Sequence, residues 1–168
     1  NRHKLDLQVE EKGIDGPVTR VDRYLEQLTI DTLRKSYKNH SFLGEEFGLQ
    51  EGKGHDADWC WVIDPLDGTL NFVNGLPHFC ISIAVQHKGV TQHGVIYDPV
   101  RDELFSASRG RGAMMNQRRI RVNVKDSLEN TFLAVGHAYR AKRNGEIVSY
   151  AKNHFDSLLN VTEAGAQY

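Results

Sequence analysis

Between Val21 and Tyr37 the apolar residues Val21, Tyr24, Leu25, Leu28, Leu33 and Tyr37 recur at near-helical spacing with charged residues between them, which predicts an amphipathic helix with Asp22 near its start. Ser41-Phe42-Leu43-Gly44 is a short apolar piece running into Glu45-Glu46, and the Gly- and charge-rich stretch 48–58 reads as a mobile surface loop. Residues 59–63 are continuously apolar and predict a buried strand. Asp64-Pro65 ends it, because proline cannot donate to the ladder of a central strand. Three β-like runs follow at 79–86, 90–97 and 103–108. His87-Lys88-Gly89 and Asp98-Pro99 through Asp102 turn the chain between them, and Arg109-Gly110-Arg111-Gly112 closes the series. Sequential hairpins make an antiparallel sheet. Residues 132–135 suggest a further strand, and Ile147, Tyr150, Ala151, His154, Phe155 and Leu158 form a helical stripe. Helices packed on an antiparallel sheet give an α+β layered domain.

Composition narrows the function classes. A chain of 168 residues fits a single domain over 1–168 that buries roughly 70% of its unfolded surface. With 39% hydrophobic and 26% charged residues, neither a disordered nor a fibrous class is favoured. A net charge of −1 supplies no global field to attract nucleic acid or an anionic membrane, so an anionic ligand must be held locally, by metal ions or backbone N–H groups. Cys60 and Cys80 lie in apolar runs and read as small hydrophobes of a reduced, cytoplasmic protein. No apolar run approaches the roughly 20 residues of a membrane helix.

The chemistry concentrates after the strand. Asp64 and Asp67 flank a proline-containing turn that aims both carboxylates into one small space. Like charges within about 4–6 Å disfavour joint ionisation, and Mg²⁺, a hard cation that prefers oxygen ligands, resolves the conflict. Gly68-Thr69 then opens a turn or helix start whose N–H groups can face an anion. Metal plus N–H donors make a phosphate site. An Asp-Pro-x-Asp-Gly run can also be an ordinary surface turn; the apolar strand before it and the acidic pair Glu45-Glu46 argue against that. None of the eight histidines forms a spaced ligand pair, His78 being the one nearest the motif. Arg109, Arg111, Arg118, Arg119 and Arg121 form a basic cluster that reads as hairpin and edge-strand charge, with contact to RNA or an acidic protein as the alternative.

Gly44-Glu45-Glu46, Trp61-Val62-Ile63-Asp64-Pro65-Leu66-Asp67-Gly68-Thr69, Asn71-Phe72 and Pro77 together resemble the inositol monophosphatase family, bacterial branch. Val18-Thr19-Arg20-Val21-Asp22, Gly94-Val95-Ile96-Tyr97-Asp98-Pro99 and Arg109-Gly110-Arg111-Gly112-Ala113 extend the likeness over most of the chain. The resemblance implies the N-terminal half of an αβαβα layered sandwich, two or three Mg²⁺ ions per site, Li⁺ sensitivity and a homodimer. It implies Glu45, Asp64 and the Leu66 carbonyl as ligands of the first ion, and Asp64 and Asp67 as ligands of the second. Thr69, hydrogen-bonded to Asp22, would orient and help deprotonate the attacking water, and the Gly68 and Thr69 amides, beside Asp67, would hold the phosphate. The implied reaction hydrolyses inositol 1-phosphate or a similar small polyol monophosphate without a phosphoenzyme. Glu46 would support the site without ligating.

Several departures qualify the likeness. The family's remaining catalytic aspartate, in a Trp-Asp motif of a C-terminal domain, has no counterpart before Tyr168, and the usual helix ahead of the first strand is lacking, so the chain reads as truncated at both ends and inactive alone. Gly16-Pro17, Leu70 and Gln117 replace an acidic-apolar pair, a threonine and a glycine. Haloacid-dehalogenase-type phosphatases share an Asp-Gly-Thr-Leu run, but they place one residue between their aspartates where Pro65 and Leu66 stand here. Fructose bisphosphatase, nucleotide 3′-phosphatase and a regulatory protein of a transcription or RNA-processing complex remain open alternatives.

Overall fold

The structure, a computed structural model, describes residues 10–11 and 17–122. The expected strand at 132–135 and the helical stripe from Ile147 to Leu158 lie outside them. The elements below belong to one compact unit that ends at Arg121.

Strands β1 (Glu10–Glu11) and β2 (Pro17–Val18) pair antiparallel and lead into helix α1 (Arg20–Ser36). Thr19 caps α1: its Oγ1 accepts from Val21 N at 3.1 Å while Asp22 Oδ2 accepts from Thr19 N at 2.8 Å, a capping box closed by aspartate. Arg34 and Lys35 complement the dipole at the other end. The helix forms where its spacing predicts, but it turns a different face inward. Its buried residues are Asp22, Glu26 and Ile30, while Tyr24 and Leu28 of the expected stripe are 64% and 49% exposed. The inward carboxylates have dedicated donors, which outweigh apolar periodicity.

The main sheet has eight strands in the order β10-β9-β8-β7-β6-β5-β3-β4. These are β3 (Ser41–Gly44), β4 (Gly48–Gln50), β5 (Trp59–Asp67), β6 (Cys80–His87), β7 (Val90–Asp98), β8 (Glu103–Ser108), β9 (Gly112–Met115) and β10 (Arg118–Ile120). All neighbours run antiparallel except β3 and β5, which run parallel in the register Ser41↔Cys60 to Gly44↔Ile63. Helices against this mixed sheet give the expected α+β fold. Ile30, Phe42 and Ile63 form the core, with Leu33, Trp61 and Ile83 packed around it.

Three local expectations are corrected. Stretch 48–58 is ordered secondary structure: β4 pairs with β3, and a 3₁₀ turn spans Gly54–Asp58. Arg34 Nη2 donates to Gln50 Oε1 at 2.6 Å, and Ser41 Oγ bridges Ala57 O and Gly52 N at 3.0 and 2.9 Å, so the stretch is pinned to α1 and β3. Strand β5 continues through Pro65 to Asp67. That is permitted because β3 ends opposite Ile63 and the β6 register shifts between Asp64 and Asp67, so no ladder partner needs an N–H at 65. Finally, the series does not close at Gly112, since β9 and β10 add a hairpin whose turn residues Asn116 and Gln117 both have positive φ, 44° and 68°. Asn116 compensates for the missing glycine by accepting from Leu104 N at 2.7 Å and donating to Asp102 O at 3.0 Å.

Candidate active site

The end of β5 delivers the motif. Asp64 Oδ1 accepts from Leu66 N at 3.2 Å, which folds the Asp-Pro-Leu segment over itself and buries Pro65 and Leu66. Thr69 then starts α2 (Thr69–Val73), with Gly68 as its N-cap at φ 97°. Gly68 is required twice over: its φ disfavours any side chain, and a Cβ would lie 3.0 Å from His78 O and 3.2 Å from Phe79 Cα. The close approach that glycine permits is therefore to the returning chain. Asn71 Nδ2 donates to the same His78 carbonyl at 2.7 Å, and Phe72 meets Phe79 edge-to-face at 5.2 Å. His78 takes part through its backbone.

Asp22 and Thr69, far apart in sequence, meet. Thr69 Oγ1 lies 2.9 Å from Asp22 Oδ1 and 3.0 Å from Leu66 O. One hydroxyl proton can serve only one of these acceptors at a time, so any cation drawn to the Leu66 carbonyl would direct the proton to Asp22. The Asp22 carboxylate is 4% exposed and fully used, Oδ2 by Thr19 and Oδ1 by Thr69. It thus caps a helix and orients a hydroxyl with one group.

The other acidic residues gather around Asp64. Burial raises its pKa above the usual carboxylate value; the Leu66 N–H lowers it, Asp67 raises it, a hydrogen bond with Glu45 lowers it and Asp22 raises it, with a net upward shift. Glu45 is exposed in the turn between β3 and β4, and Asp67 is exposed at the end of β5. Glu46 instead turns its nearly buried side chain toward Arg23 Nε, 3.9 Å away. Among the described residues no three His, Cys, Asp or Glu side chains are grouped closely enough to hold a metal ion. The donors nevertheless suit a hard cation that keeps several waters: two carboxylates in contact, a neighbouring carboxylate and a backbone carbonyl, all oxygen, around a carboxyl that resists ionisation.

Two residues of this neighbourhood are not evident from sequence patterns. Glu26, fully buried, accepts from Glu46 N at 2.8 Å and Phe47 N at 3.0 Å. Its signal was the four-residue spacing from Asp22, which places both on one helical face. Cys80 Sγ lies 3.7 Å from Asp67 Oδ2. Burial, then the charge and hydrogen bond of Asp67, then Asp64 and Asp98 push its thiol from 9.0 to about 11. Its thiolate fraction at pH 8 is then about 100-fold below that of an ordinary thiol, and alkylation of Cys80 in metal-free buffer should be slower by about that factor. Peptide-resolved mass spectrometry checks this, and an ordinary rate would place Cys80 away from the carboxylates.

A strand that ends in neighbouring carboxylates, beside a buried Asp–Thr pair and a glycine-capped helix start, brings the acidic and N–H-bearing parts of the sequence motif together in one place. The chain belongs to the inositol monophosphatase family, within a phosphatase superfamily, and the family profile matches residues 1–166. It is 49% identical over 160 residues to Nus factor SuhB of Pseudomonas aeruginosa, covering 95% of this chain and 59% of that protein. The crystal structure of the extragenic suppressor protein SuhB from Bartonella henselae superposes with a TM-score of 0.70 at 43% identity, over 73% of this chain and 48% of that one. The Thermotoga maritima IMPase does so with a TM-score of 0.66 at 40% identity, over 72% and 46%. The chain thus spans between about half and three fifths of the curated relatives it matches.

Proposed function

We propose that residues 1–168 are the metal- and phosphate-binding half of a Mg²⁺-dependent phosphomonoesterase that hydrolyses inositol 1-phosphate or a similar small polyol monophosphate. The observation that carries this is the Thr69 hydroxyl, held between the buried Asp22 carboxylate and the Leu66 carbonyl beside Asp64. Glu45, Asp64 and the Leu66 carbonyl would hold one Mg²⁺, and Asp64 with Asp67 a second. Mg²⁺ bound there supplies Lewis-acid activation and offsets the charge of the phosphate. Thr69 Oγ1 would accept a proton from the attacking water as it passes its own, already directed to Asp22 Oδ1, to that carboxylate, so the hydroxyl stays neutral and Asp22 ends protonated. The Gly68 and Thr69 amides bind phosphate oxygens. A homodimer, a cytoplasmic location, Li⁺ sensitivity and a further aspartate from the rest of the protein complete the reading.

The 49% identity to a protein named Nus factor SuhB favours a second reading, a regulatory part in transcription with the arginine cluster at 109–121 as a contact surface. The test is Mg²⁺-dependent phosphate release by the full-length protein from inositol 1-phosphate, fructose 1,6-bisphosphate and a nucleoside 3′-phosphate. Turnover of the first, lost on chelation, is expected. Preference for either of the others moves the substrate to a sister activity, and inertness toward all three puts the regulatory reading first.

A further inference from the structure

Glu26 belongs to none of the roles above, yet its environment is specific. Its carboxylate is fully buried on the face of α1 that also carries Asp22, and each oxygen accepts one backbone N–H: Oε2 from Glu46 at 2.8 Å, Oε1 from Phe47 at 3.0 Å. Those donors lie in the tight turn Glu45-Glu46-Phe47, which closes the β3–β4 hairpin where Gly44 pairs with Gly48. The carboxylate also fills the space beside Gly44, where a Cβ would lie only 1.8 Å from Glu26 Oε1. A side chain at 44 and a carboxylate at 26 are mutually exclusive, so the turn and the acid are matched as a pair. The turn is anchored on one side by Glu26 and carries Glu45 on the other, in contact with Asp64.

We infer that Glu26 is a positioning residue: it touches neither metal nor substrate, but by holding the N–H groups of Glu46 and Phe47 it sets where the Glu45 carboxylate stands and therefore how tightly the site takes Mg²⁺. This rests on the reading of Glu45 as a Mg²⁺ ligand. An ionised carboxylate accepts at both oxygens, whereas an amide of the same shape accepts at one and presents N–H at the other. Glu26→Gln therefore sets a donor against one backbone N–H and displaces the turn. Loss of a partner that orients a metal ligand typically weakens metal affinity by about 10–100-fold.

The experiment uses the full-length protein, with Mg²⁺ binding measured by calorimetry and, separately, phosphate release measured against Mg²⁺ concentration. Glu26→Gln is expected to weaken Mg²⁺ binding by about 10–100-fold, and to raise the Mg²⁺ concentration for half-maximal activity by a similar factor, while saturating Mg²⁺ restores most of the rate. Ile30→Val, one turn further along the same buried face, destabilises the helix without touching the turn and should leave the Mg²⁺ constant unchanged. If Glu26→Gln does not fold, Glu26→Asp replaces it, since it keeps both acceptors on a shorter arm; several-fold weakening is then expected. Unchanged Mg²⁺ affinity in the folded variant, or the same change in Ile30→Val, overturns the inference about Glu26. Absence of saturable Mg²⁺ binding in the unsubstituted protein overturns the metal-site reading itself, so the two failures are distinguishable.

Discussion

Asp64→Asn is expected to lower Mg²⁺-dependent phosphate release by at least roughly 100-fold and, at the same time, to raise the thermal midpoint of the metal-free protein at neutral pH. The two effects have one origin. The folded-state pKa of Asp64 lies above its ordinary 3.8, chiefly through burial. The folded chain therefore holds this proton more tightly than the unfolded chain, and stability falls as pH rises through that interval. The penalty is absent below about pH 4, complete above the folded pKa and present at neutrality. Asparagine keeps an oxygen for the Leu66 N–H and removes the charge, so the gain in midpoint should vanish as the pH is lowered below about 4. Mg²⁺ should stabilise the unsubstituted protein by binding its folded state, and the variant much less. Thermal scans across pH, with and without Mg²⁺, check all of this. A variant that is fully active, or destabilised when metal-free at pH 7, would remove Asp64 from the centre of the site.

Thr69→Ala should be the second severe lesion, and its signature differs. It deletes the hydroxyl bonded to Asp22 Oδ1 at 2.9 Å and leaves a buried acceptor without its donor, at a cost of about 1–3 kcal/mol in stability. Activity should fall by at least roughly 100-fold, the scale of a lost proton-transfer group. Thr69→Ser restores the hydroxyl and should recover activity to within roughly tenfold, although it gives up the methyl group. Denaturant melts and kcat measurements on the two variants separate structure from chemistry: a Ser variant as inactive as the Ala variant would show that the methyl group, not the hydroxyl, is what the site requires.

Much of the site was legible because its determinants are local. The apolar run before Asp64 specifies a strand through side chains that need only a neighbour on each face, and Asp-Pro-Leu-Asp-Gly-Thr specifies its own turn through backbone chemistry. The hairpins β6–β7 and β7–β8 likewise follow from turn residues beside β-forming runs. The β9–β10 hairpin was hidden because Gln117 stands at a positive φ that glycine normally signals, with the compensating bonds of Asn116 visible only in three dimensions.

By itself, then, the sequence determined the strand, the motif and the α+β class, all set by short-range sterics and hydrophobic periodicity. Tertiary structure decided which face of α1 points inward. Periodicity favours Tyr24 and Leu28, yet Asp22 and Glu26 are buried, because their partners stand 47 residues away at Thr69 and 20 and 21 residues away at Glu46 and Phe47. A buried carboxylate is tolerable only when such donors are in place, and donors that distant exist only once the sheet has formed.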